Sequence, residues 1–83
     1  MSDSIEFRTL SEAAKTISTG RYRHFKGGEY EVLGIGKHTE TLEEFVVYHP
    51  ANVDDKILSL RPLTNFLDHV DRDEYHGPRF VKI

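Results

Sequence analysis

The sequence lacks cysteine altogether and has no long hydrophobic run. Without thiols, the chain forms neither disulfides nor thiolate zinc sites. Secreted domains of this size often depend on disulfides, so we expect a protein of the reducing cytoplasm. No apolar stretch reaches the length of a membrane span, so no membrane association is expected. The opening MSDSIEFRTL has no basic segment followed by an apolar run, and so does not read as a signal peptide.

An excess of positive charge is also missing, because the formal net charge is −3. Domains that coat a phosphate backbone are usually basic, so general nucleic-acid binding is not expected. The 83 residues suffice for one domain with a small core. We divide the chain into a lead-in with a short helix over 1–19 and a β-roll over 20–83. We expect a monomer, whose ligand or partner the composition does not identify.

The N-terminal segment has the signals of one short amphipathic helix, predicted over Ser11–Ser18. Leu10, Ala13, Ala14 and Ile17 recur at helical spacing. Thr9 and Glu12 have the spacing of a capping box, and Ser11 is the alternative N-cap. Gly20 favours an end to the helix just before it.

From Gly20 onward the pattern changes to short strands separated by turn residues. The Gly27-Gly28 pair predicts a hairpin, and Gly34 and Gly36 suit a bent strand or a close backbone approach. A helical turn over Asn65–Leu67 and a polar loop over Asp71–Pro78 are also expected. The predicted fold is mainly β: a small SH3-like antiparallel roll or barrel of about five strands with a short N-terminal α-helix. The strands are predicted at Gly20–Lys26, Glu29–Lys37, Glu44–His49, Ile57–Leu60 and Arg79–Ile83.

Alternation along these strands separates two faces of the predicted sheet. The predicted core face is aliphatic, with residues Phe25, Leu33, Ile35, Phe45, Val47, Leu58 and Leu60. The opposite face is aromatic and polar and suits a small planar or anionic ligand. Its candidate ligand-binding residues, with Glu40 from the adjoining turn, are Tyr22, His24, Tyr30, His38, Glu40, Tyr48 and Arg61. In a tightly curled roll, the same tyrosines would instead become core residues within a hydrogen-bonded network.

An enzymatic function is the less favoured alternative. His24 and His38 would meet if the hairpin brought them together, and Glu40 would complete a hydrolase-like or metal-binding trio. No catalytic residue, metal ligand or cofactor is assigned, because the glycines match no phosphate-binding loop and no serine lies in a nucleophile motif. Arg21, Arg23 and Lys26, interleaved with Tyr22 and Phe25, form a possible nucleic-acid stripe or else a solvated edge strand.

The motifs YRHFKGGEYEVLGIGKHTETLEEFVVY, LRPLTNFL and PRF together resemble a small bacterial family, domain of unknown function 1653. The resemblance covers residues 20–81 and implies an SH3-like roll without an established activity. Two positions depart from the family pattern: Ser59 stands where relatives tend to have an aromatic residue, and HPANVDDK replaces the usual loop after Tyr48.

The expected function is therefore a binding module for a small molecule, peptide or nucleic-acid segment. The alternative is the small hydrolase built on His24, His38 and Glu40.

Overall fold

A five-stranded antiparallel sheet and a two-stranded hairpin build the part of the chain that the computed structural model describes, residues 4–83. The strand order of the larger sheet is β4–β3–β2–β1–β7, and β5 pairs with β6. The sheets form a roll that does not close into a barrel, which confirms the predicted mainly β class. The strands are β1 Gly20–His24, β2 Glu29–Lys37, β3 Glu44–Pro50, β4 Ser59–Pro62, β5 His69–Arg72, β6 Tyr75–Pro78 and β7 Phe80–Lys82.

The predicted N-terminal helix over Ser11–Ser18 is wrong in its position and length. The segment forms one α-helical turn, α1, at Ile5–Arg8, followed by a 3₁₀ turn at Ala14–Thr16. Forming the first turn of a helix is unfavourable, so a stretch this short follows its tertiary contacts more than its periodicity.

Ser11 provides the main tertiary anchor of this segment. Its hydroxyl accepts a hydrogen bond from Ala14 N at 3.0 Å and donates one to Glu44 Oε1 at 2.6 Å. Ser11 thus binds the first residue of the 3₁₀ turn, whose N-cap position is Ala13. No hydrogen bond of a Thr9–Glu12 capping box is seen within residues 4–83, and Glu12 instead pairs with Lys15 at 3.0 Å. Ala14 is 1% exposed and packs into the core.

The β1–β2 hairpin follows the prediction closely, whereas the C-terminal half of the chain departs from it. Gly27 N donates to His24 O at 2.7 Å, and β2 has the predicted bounds. The fourth strand lies two residues later than expected, and α2 at Leu63–Phe66 replaces the turn predicted at Asn65–Leu67.

The predicted polar loop over Asp71–Pro78 is wrong, because all of it belongs to the β5–β6 hairpin. Asp73, at the turn of this hairpin, has φ +53°. Aspartate is one of the few non-glycine residues that adopt this conformation readily. The two strands are largely exposed, so they lack the alternation of apolar and polar residues that identifies a strand in sequence.

The core lies on the face of the sheet opposite to the predicted one. Leu33, Leu58 and Leu60 are 48%, 51% and 63% exposed. Phe25, Phe45 and Val47 are half-buried, and Ile35 alone of the predicted set packs against the core cluster. The buried cluster consists of Ala14, Tyr22, Val32, Val46, Tyr48, Leu63, Phe66 and Phe80. The aromatic face therefore turns inward and packs against α2.

A β-bulge in β2 explains part of this inversion. Val32 pairs with Tyr48, but Gly34 pairs with Val47, so Leu33 is the extra residue. A bulge reverses the inside–outside alternation of the residues that follow it. Val32 and Ile35 consequently face the same side although they are three residues apart.

None of the helices within residues 4–83 has the length and hydropathy of a transmembrane span.

Candidate functional site: a cationic cavity at the hairpin end of the roll

A cavity of about 330 Å³ lies where the β1–β2 hairpin meets the C-terminal strands. His24 ends β1, Tyr30 is near the start of β2, Arg61 lies on β4, and Arg72 ends β5. The lining residues are His24, Phe25, Lys26, Gly28, Tyr30, Arg61, Arg72 and Arg79. Its volume is within the range of small-molecule sites.

The charge of this cavity is entirely of one sign. Four cationic side chains line it, and no carboxylate does so among the described residues: the cations are Lys26, Arg61, Arg72 and Arg79. Like charges brought together in a partly desolvated space repel each other, and an anion placed among them relieves that repulsion.

Arg61 is fixed in place by core residues. Its Nε donates to the hydroxyl of the buried Tyr48 at 2.9 Å, and its Nη1 donates to Asn65 Oδ1 at 2.5 Å. The guanidinium carbon also lies 5.3 Å from the centre of the Phe80 ring. These contacts hold Nε and Nη1 of a guanidinium that also lines the cavity, so this charge is preorganised there.

Arg79 is the least satisfied member of the group. Its Nε is buried and has no hydrogen-bond partner within residues 4–83, and its Nη2 lies 3.8 Å from Asp68 Oδ2. A buried donor without a partner is destabilising, and an anion oxygen in the cavity would compensate for it if it came within reach.

The ring of Phe25 gathers the remaining charges. Lys26 Nζ lies 5.9 Å from the ring centre, and the guanidinium carbons of Arg72 and Arg79 lie 5.7 and 6.0 Å from it. Cations near an aromatic ring are attracted to its face, which offsets part of their mutual repulsion.

His24 is a neutral donor in this setting. Burial lowers the pKa of its imidazole, and the charges of Arg61, Arg79 and Lys26 lower this pKa further. Nδ1 accepts a hydrogen bond from Lys26 N at 3.1 Å, which assigns the ring proton of the neutral form to Nε2.

The structure brings together only part of the predicted ligand-binding set. His24, Tyr30 and Arg61 line the cavity. Tyr22 and Tyr48 are each 6% exposed and belong to the core, which matches the packed-network interpretation of these two rings. Tyr48 still acts on the cavity indirectly, through its hydrogen bond with Arg61.

His38 and Glu40 lie at the other end of β2, in the turn before β3. Residue 30 pairs with residue 50 near the cavity, whereas residue 37 pairs with residue 44 at the far end. His38 Nδ1 accepts hydrogen bonds from Glu40 N at 3.0 Å and Thr41 N at 3.2 Å. The trio of His24, His38 and Glu40 that the hydrolase and metal hypotheses need is therefore not assembled. No other group of three or more His, Cys, Asp or Glu residues in the described chain is arranged to hold a metal ion.

The basic stripe of β1 is partly neutralised by its neighbour strand. Arg21 and Arg23 both reach Glu29 at 3.4 Å, and Arg21 lies 3.9 Å from Glu31. Tyr22, which lies between them, is buried. These residues form cross-strand ion pairs on the outer face, as expected for a solvated strand.

A second, larger groove beside α1 has its polar groups already paired with each other. Lys37 Nζ donates to Glu6 O at 3.0 Å and to Thr9 O at 2.7 Å, and Glu44 binds Ser11. The cationic cavity differs because no carboxylate is among the described residues that line it.

The predicted ligand-binding set left out three cations of the cavity, namely Lys26, Arg72 and Arg79; Lys26 was named only in the possible nucleic-acid stripe. Lys26 and Arg79 lie in the family motifs YRHFKG and PRF, so the resemblance offered a signal for both. Arg72 gave no signal, because its position depends on a hairpin that the sequence pattern did not reveal.

Comparisons with known proteins give the following matches. The model of the family described as protein of unknown function (DUF1653) matches residues 20–82. The chain is also similar to a crystal structure of a DUF1653 protein from Bordetella bronchiseptica, with 32% identity and a TM-score of 0.75. That likeness covers 84% of this chain and 91% of the other. The comparison with curated proteins gives no match.

Proposed function

This chain belongs to the DUF1653 family, whose function is unknown, and we propose that it is a binding module for a small polyanion. The binding site is the cavity formed by His24, Lys26, Tyr30, Arg61, Arg72 and Arg79.

One observation carries the proposal: four cations share this cavity without a lining carboxylate among the described residues. A stabilising surface network mixes both signs of charge, as the arginines of β1 do with Glu29 and Glu31. The cavity instead keeps its positive charges close together, and we expect their repulsion to reduce stability. Clefts lined by one sign of charge concentrate ligands of the opposite sign.

The donors suit an oxyanion with several oxygens. Arginine binds phosphate and carboxylate groups with parallel hydrogen bonds, and lysine adds a point charge. The neutral Nε2–H of His24 and the hydroxyl of Tyr30 add donors without adding charge. A ligand with two or more negative charges matches this set better than a single carboxylate does.

Isothermal titration calorimetry with sulfate, inorganic phosphate, pyrophosphate and citrate tests the proposal, at constant ionic strength because salt screens exposed charges. We expect at least one of these anions to bind. Arg72→Gln and Lys26→Gln should each weaken that binding by at least about tenfold, since a hydrogen bond to a charged group contributes about 1.5–3 kcal/mol. Neither side chain holds the fold together by a hydrogen bond that the structure shows.

Lys15→Gln is the matched control, because it removes the same charge from the 3₁₀ turn outside the cavity. It should leave anion affinity within about twofold of the wild type. Affinities weaker than about 1 mM for all four anions would overturn the proposal. Equal losses in Lys15→Gln and Arg72→Gln would overturn it as well, since they would indicate a general charge effect.

A further inference from the structure

A smaller cavity of about 200 Å³ adjoins the cationic one. The rings of His24 and Phe25 line both cavities and form the wall between them. The remaining lining residues of the smaller cavity are Arg23, Gly27, Tyr75 and Val81.

The smaller cavity is mainly aromatic and apolar; its one charged lining residue, Arg23, is paired with Glu29 at 3.4 Å. The Phe25 and Tyr75 rings lie with centroids 5.5 Å apart and planes at 26°. The hydroxyl of Tyr75 donates to Pro78 O at 2.5 Å, which fixes the orientation of its ring. The two rings stack on each other, so a planar group that enters the cavity would extend this stack or pack against the ring edges.

Space at the hairpin tip gives access to this surface. A Cβ atom at Gly27 would meet no heavy atom within 4 Å, and Gly27 has φ +101°. The tip therefore presents bare backbone beside the aromatic rings, as is common where a ligand comes close to the main chain.

We propose that the ligand is a planar ring joined to a phosphoryl group, such as a nucleotide, bound across the wall formed by His24 and Phe25. The ring stacks in the smaller cavity against Phe25 and Tyr75, and the phosphoryl group lies among Lys26, Arg61, Arg72 and Arg79. This inference rests on the proposed function and narrows its ligand class. A phosphoryl group is favoured over a carboxylate because it matches four cations with more charge and more acceptor oxygens.

The test compares four probes that separate the two halves of such a ligand: inorganic phosphate, adenosine, AMP and phenyl phosphate. We expect AMP and phenyl phosphate to bind roughly tenfold tighter than inorganic phosphate, and adenosine to bind more weakly than AMP. Oligonucleotides of four residues, with and without a 5′-phosphate, distinguish a free nucleotide from a nucleic-acid end as the source of the same chemistry.

Two variants change residues that line the smaller cavity and not the cationic one. Tyr75→Ala removes a stacking face, and Val81→Phe fills the smaller cavity; neither residue lines the cationic one. In both, the ratio of AMP to phosphate affinity should fall toward one, whereas Lys15→Gln should leave the ratio as it is. Because a ratio is measured, a general loss of folding in one variant is recognised by a parallel loss of phosphate binding, and the other variant then decides.

The outcomes separate this inference from the proposed function. If phosphate binds but AMP and phenyl phosphate bind no tighter, the ring half is overturned and the anion site stands. If the ratio exceeds one and is unchanged by both ring variants, the stacking position is wrong. If no phosphate-bearing probe binds but sulfate or citrate does, this inference fails and the anion site stands. If none of these anions binds, the proposed function fails as well.

Discussion

At the scale of single residues, His24 connects the local turn with the site. Its Nδ1 accepts the Lys26 amide, its ring lies 4.9 Å from the Phe80 ring centre, and it lines both cavities. The charged groups that lower its pKa are all cationic: Arg61, Arg79 and Lys26. A proton on this imidazole is therefore opposed both by burial and by three neighbouring charges.

The pKa of His24 makes folding stability depend on pH. Because the native pKa lies below the ordinary 6.5, the unfolded chain binds more protons at mildly acidic pH. The free energy of unfolding should consequently fall as the pH decreases below about 6.5, and should be insensitive to this group above that value. Urea denaturation at a series of pH values, with no added polyanion, measures this dependence.

His24→Asn provides the matched variant for this prediction. The Asn Oδ1 can accept the Lys26 amide as Nδ1 does, so the turn is kept while the titration is removed. We expect the pH dependence below 6.5 to become shallower in this variant. An identical pH profile in both proteins would contradict the assignment.

Part of the site could be predicted residue by residue from the sequence. Alternation along the strands placed His24, Tyr30 and Arg61 on one face, because β1, β4 and the part of β2 before the bulge keep the two-residue period. It also added Tyr22 and Tyr48, which that face buries in the core. Period alone does not say which face of a curled sheet is covered; that is decided by Phe66 of α2, whose ring stacks on Phe80 at 4.2 Å.

At the scale of elements, β2 shows how one bulge changes the interpretation of a strand. The two-residue period predicted that Leu33 and Ile35 both face the core. The bulge leaves Leu33 exposed, and only Ile35 packs against the core cluster. Gly34 and Gly36 indicated the irregularity of β2 more reliably than these aliphatic residues did. Gly34 lies at the bulge with φ +156°, and a Cβ at Gly36 would come 3.0 Å from Val47 Cγ2, so one accommodates the bend and the other a close approach.

Substitution of these glycines should separate backbone strain from side-chain contact. At Gly34 an added Cβ meets nothing within 4 Å, so Gly34→Ala should destabilise through the backbone alone, by about 1–3 kcal/mol. Chemical denaturation of the purified variant measures the loss.

Val47→Ala serves as the control in a double-mutant cycle. It should relieve part of the cost of Gly36→Ala, because it removes the atom that the new Cβ meets. It should not relieve the cost of Gly34→Ala. For that pair, the losses in the free energy of unfolding caused by Gly34→Ala and by Val47→Ala should add. Rescue of Gly34→Ala by Val47→Ala would contradict a backbone origin.

The β5–β6 hairpin is the element that the sequence pattern did not predict. Its register joins Arg72 to Tyr75, and the two residues reach different cavities. Its strands pair through the backbone and carry charged side chains into solvent, so the periodic apolar signal is absent. The predicted polar loop was thus correct about composition and wrong about conformation.

At the scale of the whole molecule, charge is distributed unevenly. The chain has eleven basic and fourteen acidic residues, and four of the basic ones line the cavity. The rest of the chain therefore has seven basic and fourteen acidic residues. An acidic exterior repels a long polyanion at a distance, whereas the cavity attracts an anion small enough to enter it. This distribution favours a small ligand over a nucleic-acid strand.

The concentration of positive charge should reduce the stability of the ligand-free protein. Arg72→Gln removes one of four neighbouring cations, and no hydrogen bond from its side chain is lost with it. We expect the variant to be more stable than the wild type by about 0.5 kcal/mol at low ionic strength, a magnitude typical of exposed charge pairs. For a domain of this size, that corresponds to a rise in Tm of roughly 2–4 °C.

Salt and ligand should each abolish this difference, for different reasons. In about 1 M sodium chloride the repulsion is screened within about 3 Å, so the two Tm values should converge. In sulfate at matched ionic strength the wild type should gain more stability than Arg72→Gln, because it binds the anion more tightly. Lys15→Gln, which lies outside the cavity, should show neither effect. A lower Tm for Arg72→Gln at low salt would mean that the contact of Arg72 with Phe25 outweighs the repulsion, and that the cationic group is held together as part of the fold.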